Sequence, residues 1–308
     1  MGGWRSARAA AAAAFGQPAL WPVALAGFLV RGGLVLLVAP IVVTPSLVGL
    51  ATFIGPASLT PTGPTTGLIV RIAIAATVFA VLLLTGTVAG AAAEIVLIRA
   101  GSGSDAAGRA LVRRVVVIRL VGLLPAMLAF AAGIERLGEI VYLELTLPTD
   151  LVTPFVIRVA ARAPDVVGLI VVAWLFGETW AGLATRLAVV RGAGVGRSLA
   201  GGLGLLVGRI LAIGPLLVVS VLVAAAVLGG VLALIGWSWA FVRDALLGGS
   251  GPAGVLAMLV STALFVGCWL AGLTAAGALA AWRAVAWTMV LGEDHRGSGG
   301  VAIERATL

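Results

Sequence analysis

Few side chains in this sequence could do chemistry, and most of them are glutamates and arginines set among apolar residues. Glu178 is the most informative. It stands near the middle of an apolar run, 166–190, where an ionised side chain costs about 2.5–3.5 kcal/mol on insertion scales. A carboxyl at that depth must be neutral, or must face an arginine or water. Gly182 and Thr185 follow at i+4 and i+7, so the three share one helix face and form a candidate intramembrane polar site. Arg31, Arg119 and Arg209 each open an apolar run and are each followed by a proline, Pro40, Pro125 and Pro215. The expectation is that they snorkel to the interface. Turned inward together, they would instead be candidate contacts for an anionic headgroup or solute. Glu94 and Arg186 occupy equivalent places near the ends of two runs. They are expected to pair with each other or with Arg113, Arg114 or Arg119.

The absences narrow the chemistry further. Cys268 is the single cysteine, His295 is the single histidine, and all 20 positive side chains are arginine. A paired-histidine zinc site and a buried Ser-His-Asp triad are thereby excluded. So are a Walker lysine and a Schiff-base lysine. Gly192-Ala193-Gly194-Val195-Gly196-Arg197-Ser198 looks like a phosphate loop without its lysine. Gly248-Gly249-Ser250-Gly251 matches the GxSG of intramembrane serine proteases, but the lone histidine lies in the opposite tail. No catalytic residue, cofactor site or metal site is assigned.

The elements that must position these residues follow from composition. Hydrophobic residues make up 61% of the 308-residue chain and charged residues 10%, and the mean hydropathy is +1.19. A soluble domain carries roughly 25% charged residues, so there is too little polar surface here to cover a water-soluble globule. The chain reads as an all-α integral membrane protein. Crossing about 30 Å of hydrocarbon takes roughly 20 apolar residues. Six runs qualify: 28–50, 72–98, 115–133, 166–190, 205–235 and 255–280, the fifth long enough to be tilted or broken near Gly229-Gly230. The N-terminal Arg5, Arg8 and Ala9–Ala14 read as an uncleaved start.

The net charge of +8 sits at the edges of these runs rather than on one face. It therefore speaks for membrane topology and anionic lipid at the cytoplasmic face, not for nucleic acid. Fourteen arginines fall on one side of the six runs and five on the other, which predicts cytoplasmic N- and C-termini in a prokaryotic plasma (inner) membrane. The external segment 44–67 is rich in proline and threonine and reads as a loop. In 134–165, Glu135 and Glu139 share one face while Ile134, Leu137, Val141 and Leu145 make the other. That pattern predicts an amphipathic helix lying on the outer leaflet with a solvated acidic face.

Two independent markers repeat. The three arginines are 88 and 90 residues apart, and Ala89-Gly90, Ala181-Gly182 and Ala271-Gly272 are 92 and 90 apart. We expect three repeated helical hairpins, approximately 1–98, 99–190 and 191–290, each opening on an interfacial elbow helix. They would form a single membrane domain, 1–308, with 291–308 as a polar cytoplasmic tail. Gly86-x3-Gly90 and Gly204-x3-Gly208 are expected to let helices pack closely.

The elbow from Asp105 to Pro125, with Gly108-Arg109-Ala110-Leu111 leading through Arg113, Arg114 and Arg119, resembles a pattern in uncharacterised prokaryotic multi-pass membrane families. These include the membrane domain joined to glycerophosphodiester phosphodiesterases. Gly196-Arg197-Ser198-Leu199 through Arg209 to Pro215 is similar. The resemblance implies a six-helix membrane domain. There is no phosphodiesterase domain here, so no catalytic residue carries over. The expected function is a non-catalytic membrane component, namely a scaffold, assembly or lipid-interacting module. The alternative is a permease for a small or lipid-like solute using Glu178 and the arginine trio.

Overall fold

The computed structural model describes residues 2–38, 41, 59–60, 63–102, 108–146, 155–208, 210–247 and 251–306. Among the described residues the structure is helical apart from short connections and a two-residue antiparallel pairing of β1 (Leu59–Thr60) with β2 (Gly63–Pro64). Helix α1 spans Gly2–Gly16, α2 Leu20–Phe28, α3 Leu34–Val38, α4 Thr66–Ser102, α5 Arg109–Thr146 and α6 Phe155–Arg162. Then follow α7 (Pro164–Arg191), α8 (Val195–Gly208), α9 (Ile210–Leu247) and α10 (Pro252–Ala306). Among the described residues, six segments are long and apolar enough to cross a bilayer: Leu20–Val38, Ile69–Ser102, Arg109–Glu144, Pro164–Arg191, Ile213–Leu247 and Pro252–Met289. Helices of 34 residues and more rise about 51 Å or more at 1.5 Å per residue. They must therefore tilt or run out into the interface.

Two expectations change. The first crossing starts at Leu20, not at residue 28, because Pro22 sits in the first turn, where its missing N–H costs nothing. No separate helix lies along 134–145. The third crossing simply continues through its acidic residues to Thr146, since Glu and Leu are good helix formers once a helix is running. Helix α9 passes through Gly229-Gly230 without a break. The backbone of α10 stays helical through 291–306, the segment read as a tail. Most of the loop 44–67, and Arg209, lie outside the described residues.

Helices α4 and α10 are each packed at one end and exposed at the other. In α4, the apolar side chains from Ile69 to Leu84 are exposed, whereas Ala91, Ile95, Leu97 and Ile98 are buried. In α10, Val255, Leu256, Leu259 and Val260 are exposed, whereas Ala276, Ala281, Val285 and Ala286 are buried. Buried stretches of α5 and α7, around Val115–Ile118 and Leu183–Val189, complete the packed end. The exposed halves are what a helix facing hydrocarbon should show, since lipid tails are as apolar as leucine.

Backbone approach explains the closest crossing. Helices α5 and α7 pair more extensively than any other two. They cross at Gly122 and Gly177, where a Cβ on either residue would strike the other's carbonyl oxygen. Gly204 and Gly208 have no such role, because a Cβ on either meets nothing within 4 Å. They lie in the short helix α8 rather than in a packed crossing. Gly177→Ala should therefore cost about 1–3 kcal/mol by overpacking. Gly204→Ala should be neutral or stabilising, because alanine restrains the unfolded chain. Unfolding midpoints of the purified protein in detergent measure both.

Candidate functional site

The site begins with a fault in the first crossing. Between α2 and α3, Leu29–Gly33 forms a π-helical turn in which Arg31 (φ −92°, ψ 18°) and Gly32 (φ 102°) leave helical geometry. The left-handed φ at residue 32 suits glycine, which has no Cβ to clash. This turn pushes the backbone of Val30 and the side chain of Arg31 against α4. Glycines receive them there: a Cβ on Gly86 would strike the Val30 carbonyl oxygen, and one on Gly90 would sit 2.6 Å from Arg31 Nε. Gly86-x3-Gly90 is thus a seat for an arginine.

One turn beyond Gly90 stands Glu94, and four crossings meet around it. Arg31 Nη2 donates to the Gly90 carbonyl oxygen and to Glu94 Oε2, each at 2.7 Å. From α5, Arg119 Nε donates to the same Glu94 Oε2 at 2.8 Å, and its Nη2 bonds Glu94 Oε1. The remaining Arg119 nitrogen, Nη1, forms an ion pair with Glu178 Oε2 on α7 at 2.9 Å. Arg31, Glu94, Arg119 and Glu178 therefore form one continuous chain of alternating charge linking four crossings. Glu94 and Arg119 are buried, whereas the Glu178 side chain keeps 39% of its surface exposed. The bidentate guanidinium–carboxylate fork is the geometry that makes such pairs strong.

Arg31 and Arg119 therefore turn inward rather than snorkel, because a carboxylate within reach neutralises them more completely than a distant interface could. Arg209 lies outside the described residues. Glu178, Gly182 and Thr185 share a face, as their spacing requires. Gly182 lies under the arginines: a Cβ there would be 3.4 Å from Arg186 Nη1 and 4.0 Å from Arg119 Nη2. Thr185 is fully buried. Glu94 pairs with Arg119, one of its expected partners. Arg186 does not bond Glu94; it donates through Nη1 to the Gly182 carbonyl oxygen at 2.8 Å and through Nη2 to the Ala284 carbonyl oxygen on α10 at 3.2 Å. Arg114 is half-buried and donates to the Gly192 carbonyl oxygen at 3.3 Å, and Arg113 is exposed.

A second buried carboxylate works at the other end of α5. Glu144 is fully buried and accepts from Arg158 Nε at 2.7 Å, and Arg162 Nε pairs with it at 2.8 Å. Both arginines come from α6, so this contact ties the short helix to the end of α5. Glu144 is thus not part of a solvated face; Glu135 and Glu139 are exposed.

Sequence reasoning did not find the Gly122–Gly177 crossing, the π-turn at Arg31, or Arg283 as a member of the charged group. Gly177 beside Glu178 and Gly122 one turn from Arg119 were the available signals. A scan against protein-family models, a search of curated proteins and a search of solved structures each returned no match to this chain.

The chemistry of this arrangement is neutralisation, and its removal is costly. Glu94→Gln leaves two arginines facing an uncharged amide and should destabilise by about 3–5 kcal/mol, the range for breaking a buried pair. Glu94→Gln combined with Arg119→Gln should be non-additive by about 0.5–3 kcal/mol. Arg113→Gln, at an exposed position, should stay within about 0.5 kcal/mol. A double-mutant cycle of unfolding midpoints in neutral detergent reads all three.

Proposed function

We propose that this chain is a non-catalytic multi-pass component of a prokaryotic plasma membrane, acting as a scaffold, assembly or lipid-interacting module. The observation that carries this reading is that Arg31, Glu94, Arg119 and Glu178 are bonded to one another. Side chains held in mutual ion pairs tie helices together and are not free to relay a solute. Two further features support it. The unpartnered apolar halves of α4 and α10 offer surface to lipid or to the helices of an assembly partner. Between α1, α2, α9 and α10 lies a cleft of about 770 Å³ lined by Phe15, Trp21, Val223, Leu279 and Trp282, with Thr274 as its polar member. An apolar cleft of this kind suits a lipid chain better than a polar solute.

In this reading the six crossings are three repeated hairpins with elbow helices, and both termini face the cytoplasm. The resemblance of the Asp105–Pro125 stretch to phosphodiesterase-linked membrane domains supports a membrane role that needs no active site. A permease for a small or lipid-like solute is the second reading. Its specific support is Glu178, which keeps 39% of its side-chain surface exposed near the midpoint of α7.

Proteoliposomes separate the two readings. The scaffold reading expects proton, anion and small-solute flux no higher than in protein-free vesicles, with Glu178→Ala unchanged. Flux that disappears in Glu178→Ala would replace it with the permease. Reporter fusions should place both ends of the chain in the cytoplasm; ends in opposite compartments would remove the even-numbered hairpin scheme.

A further inference from the structure

The chain of ion pairs is balanced, but its surroundings are not. Arg31 and Arg119 answer Glu94 and Glu178, one positive charge for each negative. Arg186 and Arg283 lie within electrostatic reach of the same group. The cluster therefore holds four arginines and two glutamates. Arg186 is 6% exposed, and the partners given for its guanidinium are two carbonyl oxygens. Among the described residues, no carboxylate is in ion-pair contact with Arg186 or Arg283. The Nε atoms of Arg186 and Arg283 are buried without a hydrogen-bond partner.

The hydroxyl of Thr185 is a third unsatisfied donor. Thr179, Thr274 and Thr288 each donate to the carbonyl oxygen four residues back, the usual outlet for a threonine inside a helix. Thr185, fully buried, has no partner. Thr185 and Arg186 on α7 and Arg283 on α10 thus hold donors without acceptors, and Arg186 reaches α10 at Ala284, the neighbour of Arg283. Buried donors of this kind are rare unless something occupies their place.

We propose that Arg186, Thr185 and Arg283 bind an oxyanion of the phosphate class between α7 and α10. Guanidinium groups match phosphate oxygens in charge and in fork geometry, and a hydroxyl adds a neutral donor. Depth fits this chemistry. Arg186 lies five residues from the Arg191 end of α7, about 7.5 Å of helix rise, which is near the level of phospholipid headgroups. The arginines assigned to an anion thereby change. Arg31 and Arg119 are engaged by Glu94, and the available positive charge is one helix further on. The phosphate could belong to an anionic phospholipid or be free in solution, and the site chemistry is the same. This inference goes beyond the scaffold reading, which rests on the Glu94 ion pairs and stands whichever way the anion test falls.

The test uses the full chain purified in neutral detergent, with thermal unfolding followed as three additives are titrated: phosphatidylglycerol, inorganic phosphate and phosphatidylcholine. The expected result is stabilisation by phosphatidylglycerol, by phosphate or by both, and none by phosphatidylcholine. A response to phosphatidylglycerol alone identifies a lipid headgroup; a response to inorganic phosphate identifies a free anion. Arg186→Met should unfold no lower than the parent without additive, since it removes an unneutralised buried charge, and should lose at least tenfold in apparent affinity. Arg283→Gln, on a different helix, should lose affinity as well, so the test survives if the first variant does not fold. Arg243→Gln, exposed and remote, should behave as the parent. Equal responses to phosphatidylglycerol and phosphatidylcholine with none to phosphate, or unchanged affinity in both arginine variants, would overturn the proposal.

Discussion

The meeting of the first four crossings answers to one constraint: a carboxylate that has left water must find its opposite charge within hydrogen-bond distance. Glu94 does this for two arginines at once, accepting from Arg31 through one oxygen and from Arg119 through both. The transfer of an isolated carboxylate or guanidinium into a medium of low dielectric is among the largest penalties in protein chemistry. The helices carrying these groups are therefore not free to slide. Where Arg31, Glu94, Arg119 and Glu178 must meet, the first four crossings must meet too.

That demand is met by removing side chains elsewhere. Arginine and glutamate are long, but they bridge only helices whose backbones are already close. Gly90 clears the path of Arg31, Gly86 admits the displaced carbonyl of Val30, and Gly122 and Gly177 let α5 and α7 touch beside the Arg119–Glu178 pair. The π-turn at Leu29–Gly33 serves the same end, since an uninterrupted helix would aim residue 31 differently. Lipid provides no hydrophobic force between helices. Close van der Waals contact at glycines and ion pairing between them therefore act together, and neither would hold the bundle alone.

The crossings were legible in the sequence because hydropathy is a sum over some twenty residues and tolerates local error. What failed was local. The first crossing was placed from residue 28, but Trp21 and Pro22 already form its first turn. Glu135, Glu139 and Glu144 looked like an exit from the helix, yet the helix runs past them, and Glu144 is buried by arginines that come ten and more residues later. Within the site, Glu178, Arg31 and Arg119 stood out because their types are costly at depth. Their mutual arrangement did not, because a single sequence carries the periodicity of each helix and not the rotation of one helix against another. Gly122 and Gly177 show this plainly: in a chain with 43 glycines, nothing in their spacing sets them apart from Gly204 and Gly208, which touch nothing.

The same constraint accounts for the uneven density of the bundle. Glu94 on α4 stands toward the end that carries Ser102, and its arginine partners require that end to be packed. The opposite half of α4, from Ile72 to Leu84, carries no charged side chain, returns its Thr77 hydroxyl to the Ala73 carbonyl oxygen, and is left exposed. Around Glu94 packing follows charge, whereas the cluster of Leu37, Val231 and Ile235 is closed by apolar side chains alone. The exposed half of α4 is free to be covered by lipid at no cost. The buried half is not, because separating its helices would strand Glu94 between hydrocarbon and two arginines.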